Sequence, residues 1–375
     1  MSAWPGKFVI GLTGNIATGK SVVRKMFEHL GAYGVDADAL AHRAIAKGAP
    51  GYKPVVEMFG KWLVDADGQI DRSRLGKIVF SDPDALARLE AIIHPLVREA
   101  VDILVRRSKQ NVIVLEAIKL LESPLREKCD RIVVAYAPES VQLSRLLEKR
   151  KLNAEVARQR IAAQPPQREK ITAADIVIRN DGTYEDTWLQ VSAAWQEFFP
   201  LEERVSGKPS NRREMVVERA RPSEASEIAA FINLYNDKKH PLSAADVMAS
   251  FGEKAFLLVK VGGQLSALAG WQVENLVSRT DSIYLDSALP VQDVMRLILN
   301  EVEHSSRDLQ CEVSLLFLQP RLARREDTWR GMGYEARTIQ SLGVRAWQEA
   351  AQESMPDGTV LLFKQLRKDR VLRPV

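Results

Sequence analysis

The chain has 375 residues, 53 basic and 49 acidic side chains, a formal net charge of +4 and a hydrophobic share of 46%. That length predicts two or three domains with sizeable cores, and so small a net charge argues against a nucleic-acid binder that gathers its cations on one face. No run reaches the roughly 18 to 20 apolar residues of a membrane helix, and Cys129 and Cys311 lie too far apart, without clustered histidines, to suggest a disulfide framework or a zinc site.

The stretch from Met1 to Lys7 lacks the pattern of a signal peptide, so a cytoplasmic protein without membrane contact is expected. It leads into the apolar run Phe8, Val9, Ile10, Gly11 and Leu12. Residues 14–21 then read G-N-I-A-T-G-K-S, a Walker A phosphate loop between a strand and a helical pattern. Such a loop turns backbone N–H groups around an anion, and Gly14 and Gly19 allow the close approach. Asn15, Ile16, Ala17 and Thr18 complete the cradle. Lys20 is placed to meet the β and γ phosphates of ATP, and Ser21 to bind Mg²⁺. Val23, Met26, Phe27 and Leu30 recur as one buried helical face, which puts Lys20 and Ser21 on the first turn.

A second strand, from Gly31, ends in Asp36 and Asp38. The carboxyl ends of parallel strands share one functional edge, so one of these acids is expected to reach an acceptor hydroxyl beside the γ phosphate. The competing expectation is an Asp pair capping the next helix. Amphipathic helices follow around Leu75 to Val79 and Leu86 to Ile93, separated by Ser81-Asp82-Pro83, and His94-Pro95 is expected to close the second. Read alone, His94 is a structural histidine. Val112 to Leu115 and Ile132 to Ala135 read as buried parallel strands, the first ending in Glu116, with a helix expected around Leu120 to Leu125. A basic helix pair carries Arg145, Arg150, Arg160 and Gln164, broken at Asn153 and stopped at Pro165-Pro166. By default such a charge run is a solvated face; against that default, its cations suit a lid over the transferring phosphoryl group, with Arg145 and Arg160 the leading choices and Arg150 close behind. The alternation of strands and helices predicts an α/β fold on a doubly wound parallel sheet.

The series G-L-T-G-N-I-A-T-G-K-S, V-D-A-D-A-L-A-H, G-A-P-G, I-D-R-S-R-L, I-I-H-P-L-V, L-S-R-L-L-E-K-R, R-I-A-A-Q and A-D-I-V-I-R-N resembles dephospho-CoA kinase over about residues 5–200. The resemblance implies a P-loop kinase fold with a helical lid, and transfer of the ATP γ phosphate to the ribose 3′-hydroxyl of dephospho-CoA. It implies that Asp38 is the general base or hydroxyl-orienting group, that the segment from Arg150 to Gln164 is the lid, and that His94 belongs to the acceptor pocket. Asp36, Glu116 and Gln164 are expected beside that substrate. Where the family shows an Asp followed by V-P-L-L-F-E, this chain has Glu116, Ala117, Ile118, Lys119, Leu120, Leu121 and Glu122, so the acid is lengthened and the proline lost.

Residues 206–213 form a polar, breaker-rich linker, predicted to separate a kinase domain at 1–205 from a second domain at 214–375. The second reads as a strand at Met215, a helix over residues 223–234, a hairpin turning at Gly262-Gly263, a strand near Ser282, a helix from Val291, a strand from Val313 to Leu318, a short helix near Asp327 and a last strand from Thr359. This order resembles the GNAT acyltransferases and implies an α+β fold. Their pyrophosphate loop, R/Q-x-x-G-x-G/A, is replaced by L-D-S-A-L-P-V-Q over residues 285–292, which predicts a non-catalytic module that binds CoA weakly, contacts the kinase domain or drives homo-oligomerisation. The rival expectations are a kinase for another nucleoside or nucleotide, a bifunctional kinase and acyltransferase, and a nucleotide-gated binding protein.

Overall fold

The computed structural model describes residues 3–148, 151–200, 215–235 and 241–367. The predicted linker at 206–213 and Arg150 lie outside the described residues. In chain order the first half runs β1 (Phe8–Thr13), α1 (Lys20–His29), β2 (Tyr33–Asp36), α2 (Ala37–Ala44), α3 (Tyr52–Phe59), α4 (Arg72–Ser81), α5 (Pro83–Arg107) and β3 (Val112–Glu116). It continues through β4 (Arg131–Tyr136), α6 (Glu139–Glu148), α7 (Ala154–Ala162), α8 (Gln167–Thr172), β5 (Ile176–Arg179) and α9 (Tyr184–Phe198).

The five strands form one sheet in the order β2-β3-β1-β4-β5, and each neighbouring pair is parallel. A parallel sheet must be covered on both faces, which is why its strands are almost continuously apolar. Ile10, Leu12, Val133 and Ile178 pack against Val23, Met26 and Phe27 of α1 and Val191 of α9. Val9, Ile113, Leu115 and Ile132 face the other way, onto Leu40 of α2 and Val97, Val101 and Leu104 of α5. Residues in α3, α4 and the start of α5 close a smaller satellite core around Val55, Leu63, Leu75 and Leu89.

Three sequence expectations change here. α5 does not close at His94-Pro95 but runs on to Arg107. Proline removes one helical N–H, yet Val97, Ala100, Val101 and Leu104 beyond it are buried in the sheet-facing core, and that packing outweighs the lost bond. The segment from Leu120 to Leu125 is turn rather than helix, ahead of a single 3-10 turn at Arg126–Lys128. The second strand stops at Asp36, so Asp38 lies on the first turn of α2 and the two acids do not share a strand face.

The second half comprises β6 (Met215–Arg219), α10 (Ala225–Tyr235), α11 (Ala244–Ser250), β7 (Ala255–Val261), β8 (Gln264–Glu274), β9 (Val277–Leu285), α12 (Val291–Asp308) and β10 (Val313–Leu318). The short α13 (Pro320–Ala323), α14 (Glu326–Gly331) and β11 (Glu335–Ala336) precede α15 (Arg345–Ser354) and β12 (Val360–Gln365). Its sheet runs β11-β12-β10-β9-β8-β7-β6, antiparallel except between β9 and β10. That parallel pair is in register only from Val277↔Val313 to Thr280↔Leu316. Gly262 and Gly263, with φ of 61° and 85°, supply the left-handed turn expected between β7 and β8. α12 covers one face through Val294, Ile298 and Val302, while α10 and α11 cover the other through Ile228, Phe231 and Val247. α11 and α15 have no counterpart in the sequence reading.

Candidate active site

The phosphate loop leaves β1 at Thr13 and enters α1 at Lys20. Gly14 has φ 151°, and a Cβ there would lie 2.3 Å from the Ala135 carbonyl oxygen. Gly19 has φ 87°, and a Cβ there would sit 1.9 Å from Asn180 Nδ2. No side chain fits either place, so both glycines are required by the fold as well as by the chemistry. Thr18 Oγ1 donates to the Asn15 carbonyl at 2.9 Å, and Lys20 Nζ donates to the same carbonyl at 3.3 Å. Asn15 and Thr18 thereby tie the loop together.

Acidic groups converge on the start of α1. Glu116 ends β3, is 4% exposed, and accepts from Ser21 Oγ at 3.0 Å on one oxygen and from Arg24 Nε at 2.7 Å on the other. Its extra methylene spans the distance to the loop hydroxyl. Against the lowering effect of burial, the Glu28 and Glu116 carboxylates hold the Arg24 guanidinium above its ordinary value. Asp36 caps α2, accepting from the Ala39 N–H at 2.8 Å, and burial together with Glu116 pushes its carboxyl up to about 6. The capping expectation thus describes Asp36, whereas Asp38 faces the loop.

Asp38 Oδ2 accepts from the backbone N–H of Ile118 at 3.0 Å. Burial raises its carboxyl, partly countered by that hydrogen bond and by the Lys20 charge. Ile118 stands where the pattern used above has its proline, which has no N–H to donate. The lost proline therefore adds a ligand to the candidate base. The Ile118 carbonyl accepts from Lys170 Nζ at 2.6 Å and from Thr13 Oγ1 at 3.0 Å. Lys170 is buried, and burial holds its ammonium below the ordinary lysine value against Glu122 and Asp38.

The basic helix pair lies over the loop. Leu146, Ala157 and Ile161 of α6 and α7 pack with Ile16 and Ala17. Asn153 caps α7 by accepting from Val156 N–H at 2.8 Å, as its position predicts. Gln164 Oε1 accepts from the Ile16 N–H at 2.7 Å, and the Pro165 carbonyl accepts from Asn15 Nδ2 at 2.9 Å. Gln164 thus grips the loop backbone. Arg145 donates to the carbonyls of Ala17 at 3.1 Å and Asn180 at 2.7 Å. Arg160 is exposed on α7 and His94 is exposed on α5; the structure brings neither into this network. Arg24, Lys170 and Asn180 were not foreseen. Arg24 had a signal, since Ser21, Arg24 and Glu28 fall three and four apart on one helical face; Lys170 and Asn180 are joined to the site only by the tertiary fold.

The family model described as dephospho-CoA kinase matches residues 8–186. A dephospho-CoA kinase of Geobacter metallireducens is 43% identical over 192 residues, which are 50% of this chain and 96% of that protein. The chain belongs to the dephospho-CoA kinase family. A second dephospho-CoA kinase, from Aquifex aeolicus, is 43% identical over 189 residues, covering 50% of this chain and 96% of its own length. The kinase resemblance thus accounts for about half of the chain. A GNAT-family acetyltransferase structure from Staphylococcus aureus aligns with 41% of this chain and 100% of its own, at 11% identity and a TM-score of 0.33, a likeness too weak to bear on activity.

The donors around Ser21 suit a Mg²⁺ ion: a hydroxyl and a carboxylate, all hard oxygens. Among the described residues no group of three or more His, Cys, Asp or Glu side chains could hold a metal by itself. Mg²⁺ commonly completes its shell with substrate phosphates and water. No helix among the described residues is long and apolar enough to cross a membrane.

Proposed function

We propose that the first domain transfers the γ phosphoryl group of ATP to the ribose 3′-hydroxyl of dephospho-CoA, giving CoA and ADP, with Asp38 as the base. The observation that supports the assignment of roles is Asp38 beside the phosphate loop, half-buried, its carboxyl raised by desolvation and oriented by the Ile118 N–H. The loop N–H groups and Lys20 cradle the phosphates, and the positive end of α1 points at them. Asp38 aligns the acceptor hydroxyl and takes its proton as the oxygen bonds to the γ phosphorus; the bond from that phosphorus to the β–γ bridging oxygen breaks, and ADP carries the charge away. Lys20, and lid arginines such as Arg160 and Arg150 once the lid engages ATP, stabilise the equatorial oxygens. Arg145 and Gln164 hold the loop in shape. Mg²⁺, carried by Ser21 and supported by Glu116, supplies charge neutralisation of the β and γ phosphates when bound.

We read the second domain as unable to transfer acyl groups. In the stretch that would hold a pyrophosphate, Asp286 Oδ1 accepts from the Ala288 N–H at 2.9 Å, so a carboxylate occupies the donor that an anion would need. Locating the new phosphate by phosphorus and proton NMR on the product of a reaction with dephospho-CoA tests the proposal. A 3′-phosphomonoester supports it; a phosphate at any other position, or none, refutes it.

A further inference from the structure

The second domain reaches the metal end of the phosphate loop through an unbroken chain of hydrogen bonds. The Val273 carbonyl of β8 accepts from Lys25 Nζ, which also donates to Glu28 Oε2 at 3.0 Å. Glu28 Oε1 accepts from Arg24, and Arg24 Nε donates to Glu116 Oε2 at 2.7 Å. Glu116 Oε1 accepts from Ser21 Oγ at 3.0 Å. Arg24, Lys25 and Glu116 are all buried, where exchange of partners with water is costly. Glu274, beside Val273, adds a negative charge facing Arg24 and Lys25 from across the interface. Ser21 and Glu274 line one cleft of about 450 Å³ between the domains.

The end of the β8–β9 hairpin is anchored by an unusual turn. Asn275 and Leu276 have φ of 51° and 63°, a left-handed pair that such turns normally give to Asn and Gly. A leucine in that conformation is strained and persists only where its surroundings over-determine it. Here Leu276 is 8% exposed and belongs to the kinase core, in one cluster with Tyr33, Val35, Leu40 and Leu104. Arg43 of α2 donates to the Asn275 carbonyl and pairs with Glu312, while Tyr33 Oη donates to the Leu309 carbonyl at 3.5 Å.

We propose that the second domain is a working part of the phosphoryl-transfer site: its β8–β9 hairpin, plugged into the kinase core by Leu276, holds Glu116 against Ser21 through Lys25, Glu28 and Arg24 and so sets the geometry that receives the metal. This rests on the kinase reading of the first domain. Lys25, Glu28 and Leu276 are positioning residues, since none of them touches substrate. Residues that orient metal ligands from behind are worth about 10- to 100-fold in metal affinity, and the proposal assigns a loss in that range to this chain.

The test uses the full chain and Mn²⁺ as the probe, titrated by electron paramagnetic resonance in the presence of a non-hydrolysable ATP analogue. Lys25→Met is expected to weaken Mn²⁺ binding about tenfold, and Lys25→Arg to recover most of it. Leu276→Ser is expected to weaken binding similarly, and the double variant to be no weaker than the weaker single one, because both act along one route. Arg43→Gln, which removes the polar clasp but leaves the plug, serves if Leu276→Ser fails to fold. Mn²⁺ affinity within twofold of wild type in Lys25→Met, or losses that simply add in the double variant, would overturn the proposal. The acceptor takes no part in this readout. A chain that bound the metal–nucleotide pair normally but left dephospho-CoA untouched would refute the kinase reading alone, and the variants would still decide this one.

Discussion

Asp38 and Lys170 hold opposite poles of one residue: the Ile118 N–H donates to Asp38 Oδ2 at 3.0 Å, and the Ile118 carbonyl accepts from Lys170 Nζ at 2.6 Å. The proposed base and a buried cation, more than 100 residues apart in sequence, are thereby spaced by a single residue following β3. The hydrogen bond favours the ionised form of Asp38, the form a base needs.

Ile118→Pro removes that N–H while restoring the residue of the wider pattern. The Asp38 carboxyl loses a stabilising donor, so its pKa rises, and the acidic limb of the kcat/KM profile moves to higher pH. Activity measured from pH 5 to 9 checks the shift. An unmoved limb would mean that Asp38 is not the group whose ionisation limits the reaction.

Asp38→Asn preserves shape and removes the proposed base. Turnover is expected to fall by about 10²- to 10⁴-fold with little change in the KM for ATP, because the loop that binds the nucleotide is untouched. Lys170→Met leaves the Ile118 carbonyl with one donor fewer and withdraws a positive charge from the site, and a loss of about 10²-fold in kcat is expected. Steady-state kinetics on both variants, with circular dichroism to confirm folding, separates these roles from simple destabilisation.

Local signals made much of the kinase half legible. The glycines of the loop, Asp82 before Pro83 and Asn153 before α7 each act over a few residues, and each cap is observed where its pattern places it. Pro95 misled because the rule that proline ends a helix is local, whereas α5 is held beyond it by Val97 to Leu104 against the sheet. Lys170 and Asn180 could not be read out, since nothing near them in sequence distinguishes them from a surface lysine and a turn asparagine. Leu276 is the clearest case: a leucine in a hairpin turn carries no sign that its partners are Tyr33 and Leu104 of another domain.

His29 is expected to make the contact between the two halves of the chain sensitive to acid. Its Nε2 donates to the Phe251 carbonyl at 2.7 Å and its ring meets Phe251 edge-on. Burial, reinforced by Lys25 and Arg219, holds the imidazole down at about 4 against Glu28 and the Phe251 carbonyl. The unfolded chain takes up a proton near pH 6.5 and the folded one does not until about 4, so stability falls as pH drops through that window. At roughly 1.4 kcal/mol for each pH unit between the two values, the loss is at most about 3 to 4 kcal/mol. Thermal unfolding at pH 7.5 and pH 5 is expected to show a smaller drop in Tm for His29→Gln than for wild type; equal drops would place the acid sensitivity elsewhere.

The most direct test of the kinase assignment is ADP release from ATP and Mg²⁺ with dephospho-CoA, compared with a panel of nucleosides and nucleotides, with products weighed by mass spectrometry. The assignment predicts that dephospho-CoA strongly stimulates release and gains one phosphate, while the panel does not. Stimulation by a different acceptor, or ADP release indifferent to dephospho-CoA, would contradict it.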